Sequence, residues 1–389
     1  MEIKKDIYWV GGVDWGLRNF HGYITPRGSS YNAYLIVDKK ITLIDTVKHY
    51  LFDEMAGRIG KIVDPARIDY IISNHTEMDH SGGLPRIMKL AKNAVVVASP
   101  NGVKGLKKHF GGQGGDEWRF KQVQSGDILD IGQRRLEFIL APMVHWPDSM
   151  ATYCQRDRVL FSNDAFGQHI ASSCRFAEDL GWDIVREEAA KYYANIVWPY
   201  GAQVKRLLGD VSGLKIETIA PSHGLIWNRR IEDIVSLYKR WADNYVRDKA
   251  VVIYDTMWGS TEKMAYIFRD VFERKGISCE MKSLKTNDIS EIIASILEAK
   301  YICIGSPTLN SGILPSVAAF LTYMRGLSPK NRIGFAFGSY GWGGQVVEEI
   351  EDILVAAKFE LPLKGLKIRY VPSEGELEEM REKLAGVIE

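Results

Sequence analysis

Asn74-His75-Thr76-Glu77-Met78-Asp79-His80-Ser81-Gly82-Gly83 follows directly on Ile68-Asp69-Tyr70-Ile71-Ile72-Ser73, a run of β-formers with the length of a buried strand. Just past a strand end, His75 and Glu77 share one side of the extended chain. The turn that follows presents Asp79 and His80 to a second point nearby. Four such groups in one short loop can serve two metals rather than crowd one. A lone His-x-x-x-x-His is weak evidence; two carboxylates between the histidines make it strong.

The same setting, a loop after a strand, recurs three times. His145 follows a strand-like run at 136–141, Asp164 follows Leu160-Phe161-Ser162, and His223 follows Ile219-Ala220-Pro221-Ser222. If these loops converge at one sheet edge, they bring together four imidazoles and three carboxylates. Two four-ligand sets drawn from seven groups share one member, and a carboxylate is the natural bridge because it has two oxygens. Mixed imidazole and carboxylate ligation suits non-haem iron, with zinc and manganese left open by ligand type.

Outward from this loop, strand-like runs at 7–10, 34–37, 41–45, 94–98, 158–162 and 216–220 alternate with helix-like stretches at 49–62 and 84–92. That mixture predicts a sheet covered by helices. Gly111-Gly112-Gln113-Gly114-Gly115 reads as a flexible loop after a helix at 103–109. The style changes near residue 249. A helix-like stretch at 231–246 ends in a charged break, Arg247-Asp248-Lys249. Strands then follow at 250–254, 278–282, 301–304, 332–337 and 365–371, separated by helices at 263–275, 289–298, 316–325 and 346–357. This pattern predicts a doubly wound parallel sheet. The expected domains are 1–248 and 249–389, an α+β unit followed by an α/β unit.

Three loops of the second domain lie at the carboxyl ends of strands, where ligands bind in such sheets. The first, Thr256-Met257-Trp258-Gly259-Ser260-Thr261, opens a helix, so backbone N–H groups and hydroxyls form a phosphate cradle. It is neither a Gly-x-Gly-x-x-Gly nor a Walker loop. The second is Ser306-Pro307-Thr308-Leu309-Asn310, and the third Gly338-Ser339-Tyr340-Gly341-Trp342-Gly343-Gly344. The third combines glycines for close backbone approach with aromatics able to stack on a flat ring.

Composition bounds the rest. A length of 389 residues, with 46% apolar and 25% charged residues, fits two ordinary globular domains. Fifty basic and 49 acidic side chains leave a formal charge of +1, and no basic stripe points to nucleic acid. Charge appears at once in Met1-Glu2-Ile3-Lys4-Lys5-Asp6, and no stretch of eighteen apolar residues is present; neither a signal peptide nor a membrane span is expected, and the location expected is cytoplasmic. Cys154, Cys174, Cys279 and Cys303 stand far apart without a Cys-x-x-Cys pair, which argues against a disulfide scaffold or a rubredoxin-type iron site.

With its later His, Asp and His, the His75-x-Glu77-x-Asp79-His80 run resembles the flavodiiron (A-type flavoprotein) family. The resemblance spans the chain, including Tyr31-Asn32-Ala33-Tyr34-Leu35, His145-Trp146-Pro147-Asp148-Ser149 and Phe161-Ser162-Asn163-Asp164-Ala165-Phe166-Gly167. It implies a metallo-β-lactamase-like αββα domain followed by a flavodoxin-like domain. It also implies that His75, Glu77, His145 and a bridging Asp164 hold one iron, while Asp79, His80, His223 and the same Asp164 hold the other. Zinc hydrolases of this fold usually carry a histidine where Glu77 stands; three anionic ligands suit irons moving between ferrous and ferric states. His21 matches a histidine of the family beside the dioxygen pocket. Lys191-Tyr192-Tyr193-Ala194-Asn195 resembles the region of its substrate-pocket tyrosine. Helical spacing lets one of Tyr192 and Tyr193 face the pocket, and Tyr193 is the choice made here. His49, His109 and His169 lack such context and read as surface or packing residues. Thr256, Ser260 and Thr261 would bind the FMN phosphate, in a loop completed by Met257, Trp258 and Gly259. Thr308, Asn310 and Trp342 would surround the flavin ring, in loops that also supply Ser306, Pro307, Ser339, Tyr340, Gly341 and Gly343.

The function so implied passes electrons through FMN to a diiron centre that reduces dioxygen to water or nitric oxide to nitrous oxide. The alternative is a metal-dependent hydrolase of the metallo-β-lactamase fold, which the fused flavin domain and Glu77 oppose. A purely electron-carrying flavoprotein would leave the ligand set without a purpose. The chain lacks rubredoxin cysteine pairs, so an external donor is expected, rubredoxin first and a reduced deazaflavin cofactor second. The working unit implied is a head-to-tail homodimer or a tetramer built from such dimers.

Overall fold

Strand Ile68–Ile72 takes a central place, as its apolar composition requires. It lies between Ile41–Ile44 and Val95–Ala98 and runs parallel to both. The seven-stranded sheet around it has the order Glu2–Lys4, Ile7–Trp9, Tyr34–Ile36, Ile41–Ile44, Ile68–Ile72, Val95–Ala98 and Arg119–Gln122. The computed structural model describes residues 1–388. A five-stranded sheet follows, in the order Ile128–Asp130, Arg135–Leu140, Met150–Cys154, Val159–Asn163 and Thr218–Pro221.

Side-chain alternation along the strands sorts two cores. On one face of the first sheet Leu35, Leu43, Ile71 and Val96 meet helix residues Met55, Ile59, Ile87 and Leu106. On the other face Tyr34, Ile36, Ile44, Ile72 and Val97 meet Phe138, Met150, Val159 and Phe161 of the second sheet. Each such side chain contributes about 1.5–3 kcal/mol by leaving water. A one-residue slip would turn these faces inside out, so the register of each strand end, where the ligand loops begin, is firmly set.

The chain divides into two compact units. The first contains Met1–His21, Thr25–Tyr193 and Tyr200–Lys239; the second contains Gly22–Ile24, Ala194–Pro199 and the chain from Arg240 on. In the second unit five parallel strands take the order Ser278–Ser283, Arg247–Tyr254, Ala299–Gly305, Ile333–Tyr340 and Leu366–Arg369. The winding direction reverses between the strands beginning at Arg247 and Ala299, and a crevice opens at such a reversal.

Several elements differ from the sequence expectation. Arg247-Asp248-Lys249 is not a break but the start of a strand, with Arg247 paired to Ala299 and Lys249 to Ser278. Lys249 is buried because its Nζ donates to the Ser295 carbonyl at 2.8 Å and reaches Glu280 at 2.5 Å. The helix expected to reach 246 is Ile231–Ala242; left-handed Asn244 (φ 52°) follows it. The glycine-rich stretch holds a 3-10 turn, Gly111–Gln113, directly after helix Pro100–Phe110. Met150–Cys154 was missed because all five residues are buried and show no alternation.

Gly338 sits where a Cβ would lie 2.1 Å from the Ser306 carbonyl oxygen, so backbone must shift to admit one. Gly338→Ala should therefore destabilise the second unit by about 1–3 kcal/mol. Urea unfolding should show a lower midpoint at unchanged slope.

Candidate metal centre and ligand cleft

All seven ligand-type side chains named from the sequence converge. His75 and His145 turn their Nε2 atoms to Glu77 Oε2 at 3.3 and 3.4 Å, and to Asp164 Oδ2 at 3.7 and 3.4 Å. On the other side, His80 and His223 approach Asp164 Oδ1 at 3.1 and 3.4 Å, and Asp79 at 3.5 and 3.2 Å. One carboxylate thus offers one oxygen to each half. Ligands bonded at about 2.1 Å in tetrahedral geometry stand about 3.4 Å apart, the spacing found here. His75, Asp79, His80, Asp164 and His223 are buried.

Neighbouring groups aim these side chains. Asp148 Oδ2 lies 3.0 Å from His75 Nδ1 and accepts from the Thr76 amide at 2.7 Å. The Ser30 carbonyl lies 2.9 Å from His223 Nδ1. Both contacts favour the Nδ1–H tautomer and leave Nε2 as the lone-pair donor. Buried Asp45 accepts from Asn74 N at 2.7 Å and from Asn74 Nδ2 at 3.0 Å. Asn74 Oδ1 in turn accepts from Thr152 in the second sheet at 2.8 Å, and the Thr46 hydroxyl donates to the His80 carbonyl at 2.6 Å. Asp45, Asn163 and Phe166 all take left-handed backbone (φ 56–68°), strain of the kind that collects at functional sites.

His21 is 73% exposed, and its Nε2 lies 3.1 Å from Glu77 Oε1. Of the two tyrosines, the Tyr192 hydroxyl donates to Asp164 Oδ1 at 3.1 Å, while the ring of Tyr193, the residue chosen from the sequence, packs on Tyr238. Helix Trp182–Tyr192 passes into a π-turn at Tyr193–Val197, so regular helical spacing could not choose between them. His169 has more context than the sequence suggested. It is fully buried, with Nδ1 2.8 Å from Ser29 Oγ and its ring centroid 4.9 Å from His223 and 5.1 Å from Tyr192. Asp148 was also missed as a positioning group, although it lies three residues after His145; only the fold brings it beneath His75.

The electrostatics call for cations. Burial opposes the charged form of His75, yet hydrogen bonds to Asp148 and Glu77 raise it to about 10. Burial likewise opposes charge on His80, but Asp79 and Asp164 raise it to about 9. Asp164 is held well below the usual carboxylate range against its own burial, first by His80 and then by His145. Both oxygens of Asp79 and Oδ2 of Asp164 are buried without a hydrogen bond among the described residues. Buried carboxylate oxygens of this kind are costly unless something positive meets them, and two metal ions fit that demand.

In the second unit the three loops surround a cavity of about 560 Å³. Met257, Trp258, Ser260, Pro307, Thr308, Asn310 and residues 339–343 line it, joined by Ser311, Tyr370 and Val371, which the sequence did not single out. Thr256, Gly259, Thr261 and Ser306 stand outside the lining. Thr261 bonds Ser339 at 2.9 Å, tying the first loop to the third, and Ser306 accepts from the Leu314 amide at 3.1 Å. Left-handed Gly259 (φ 85°) leads into helix Ser260–Arg274, whose first turn has no side-chain cap. With no side-chain cap among the described residues, the N–H groups of that turn suit a phosphate, and Trp258 and Trp342, 94% and 92% exposed, suit a flat aromatic ring.

Comparison with known proteins agrees with both halves. Residues 30–224 match the family described as ODP family beta lactamase, and residues 252–383 match the flavodoxin family. A nitric oxide reductase of Moorella thermoacetica is 43% identical over 99% of this chain and 98% of its own length. The solved rubredoxin oxygen:oxidoreductase of Desulfovibrio gigas superposes with a TM-score of 0.96 at 37% identity, covering 100% of this chain and 97% of that one. The flavodiiron protein of Giardia intestinalis also gives 0.96, at 34% identity over 100% and 95%.

Asp148→Ala should weaken divalent-metal binding on the His75 side by about 10–100-fold. Competition against a chelator would measure this, and unchanged affinity would remove Asp148 from the centre.

Proposed function

Because the chain belongs to the flavodiiron protein family, we propose that His75, Glu77 and His145 hold one iron, that Asp79, His80 and His223 hold the second, and that Asp164 bridges them. The protein is an FMN- and diiron-dependent oxidoreductase acting on dioxygen or nitric oxide. The observation that carries the ligand assignment is the division of the two Asp164 oxygens between two sets of imidazoles. When bound, FMN supplies one-electron transfer from its reduced form, and the iron pair supplies adjacent positions for dioxygen or two nitric oxides.

The chain's own residues orient and protect that chemistry. Asp148 and the Ser30 carbonyl hold the ligand tautomers. Tyr192 keeps its proton, because burial and then the Asp164 charge raise its hydroxyl well above the usual range; it stays a hydrogen-bond donor to Asp164. His21, exposed and with its Nε2 3.1 Å from Glu77 Oε1, stands between solvent and the centre. Thr256 and the Gly259–Thr261 turn take the FMN phosphate. Thr308, Asn310 and Trp342 flank its ring. The hydrolase reading is set aside by the flavodoxin half of the chain and by a glutamate at position 77.

We assign a separate rubredoxin as electron donor, supported by the name of the D. gigas relative, with a reduced deazaflavin cofactor as the competing donor. We further assign a homodimer, alone or within a tetramer, in which the flavin of one chain serves the iron pair of its partner; its basis is the family resemblance. A cytoplasmic location accords with the absence of any helix, among the described residues, long and apolar enough to cross a membrane.

Asp164→Ala should lose iron from both positions while FMN stays at the wild-type level, as read by metal and flavin analysis. Full iron content would sink the bridging role. Mixing an Asp164→Ala chain with a Ser260→Ala/Thr261→Ala chain, each inactive alone, should restore turnover after subunit exchange. A monomer with full donor-to-oxygen activity would refute the paired arrangement.

A further inference from the structure

The last strand of the second unit, expected to run to 371, stops at Arg369, and the chain turns at Tyr370. Tyr370 has φ 59°, a left-handed conformation that is an outlier for a bulky residue. The residue is 56% exposed, yet several contacts hold it in place. The Tyr370 amide donates to the Tyr340 carbonyl at 2.7 Å. Arg369 Nε donates to the Gly341 carbonyl at 2.9 Å, and its guanidinium lies 5.1 Å from the Tyr370 ring centre. A Cβ on Gly341 would stand 3.3 Å from Tyr370 Cε1, so the ring packs closely against Gly341.

A strained backbone that holds a largely solvent-facing aromatic adds little to the core. Such strain collects where a side chain must meet a ligand. The Tyr370 ring lines the same cavity as Trp258, Thr308 and Trp342. We propose that Tyr370 is a further flavin-contacting residue, its ring packing against the bound FMN from a fourth loop that follows the last strand. The inference rests on the cavity being the flavin site. The contact is assigned to the ring rather than the hydroxyl, because the ring packs against Gly341 at the edge of the cavity that Tyr370 lines.

The test uses the holoprotein and follows FMN release after dilution by the gain in free-flavin fluorescence. Tyr370→Ala should release FMN about fivefold faster, the size expected for one lost ring-on-ring contact. Tyr370→Phe should behave as wild type. Iron content and far-ultraviolet circular dichroism report whether each variant is folded. Wild-type retention in a folded Tyr370→Ala overturns the proposal, and so does an equal loss in the alanine and phenylalanine variants. Ser260→Ala/Thr261→Ala serves as the control: if it also keeps FMN, the flavin assignment of the cavity fails, and not only the role of Tyr370.

Discussion

Asp164 is a carboxylate with no exposure to water and imidazole nitrogens against each of its oxygens. A charge so placed is tolerable only if it is paired and hydrogen-bonded from every side. Much of the first unit answers that requirement. Three strand ends deliver His75, Asp164 and His223 to one region. Tyr192 adds a hydroxyl, and Asp148, Ser30 and Asp45 fix the groups behind the ligands. Two cations would take the place of the protons that His75, His80 and His145 otherwise hold against these carboxylates.

The ligand set was legible because its chemistry is local. Each member follows a strand end that the apolar pattern reveals, and buried imidazoles and carboxylates at such places have few structural uses. What stayed hidden depends on chain geometry or on distant parts of the sequence. Tyr192 and Tyr193 are indistinguishable until the helix loosens into a π-turn between them. Asp148 gains its meaning only when its loop folds beneath residues 75 and 76. Gly22–Ile24 and Ala194–Pro199 join the second unit through contacts that no local pattern announces; an example is the bond from Asn195 Nδ2 to the Ser290 carbonyl at 3.0 Å.

The second unit shows the complementary case. Its alternation of strands and helices made the sheet and its ligand-bearing edge readable, because the three central strands, Arg247–Tyr254, Ala299–Gly305 and Ile333–Tyr340, are largely apolar and buried. The roles of individual loop residues were less so. Ser306 carries a hydroxyl of the expected type, yet it bonds within its own loop, and Thr261, proposed as a phosphate contact, also ties the first loop to the third. Hydroxyl composition alone does not separate a ligand contact from a brace.

The ties through Asn74 also bear on how stiffly the ligand loop is held. Its amide and side chain are held by Asp45, its carbonyl accepts from the Met150 amide at 2.9 Å, and its side-chain oxygen accepts from Thr152. The loop carrying His75, Glu77, Asp79 and His80 is therefore clamped between two sheets rather than hung from one. Pulling that loop out of place would break contacts in the core between the sheets. Its opening is therefore a local unfolding event rather than a simple loop motion, and the four ligand positions it carries are held stiffly before any ion binds.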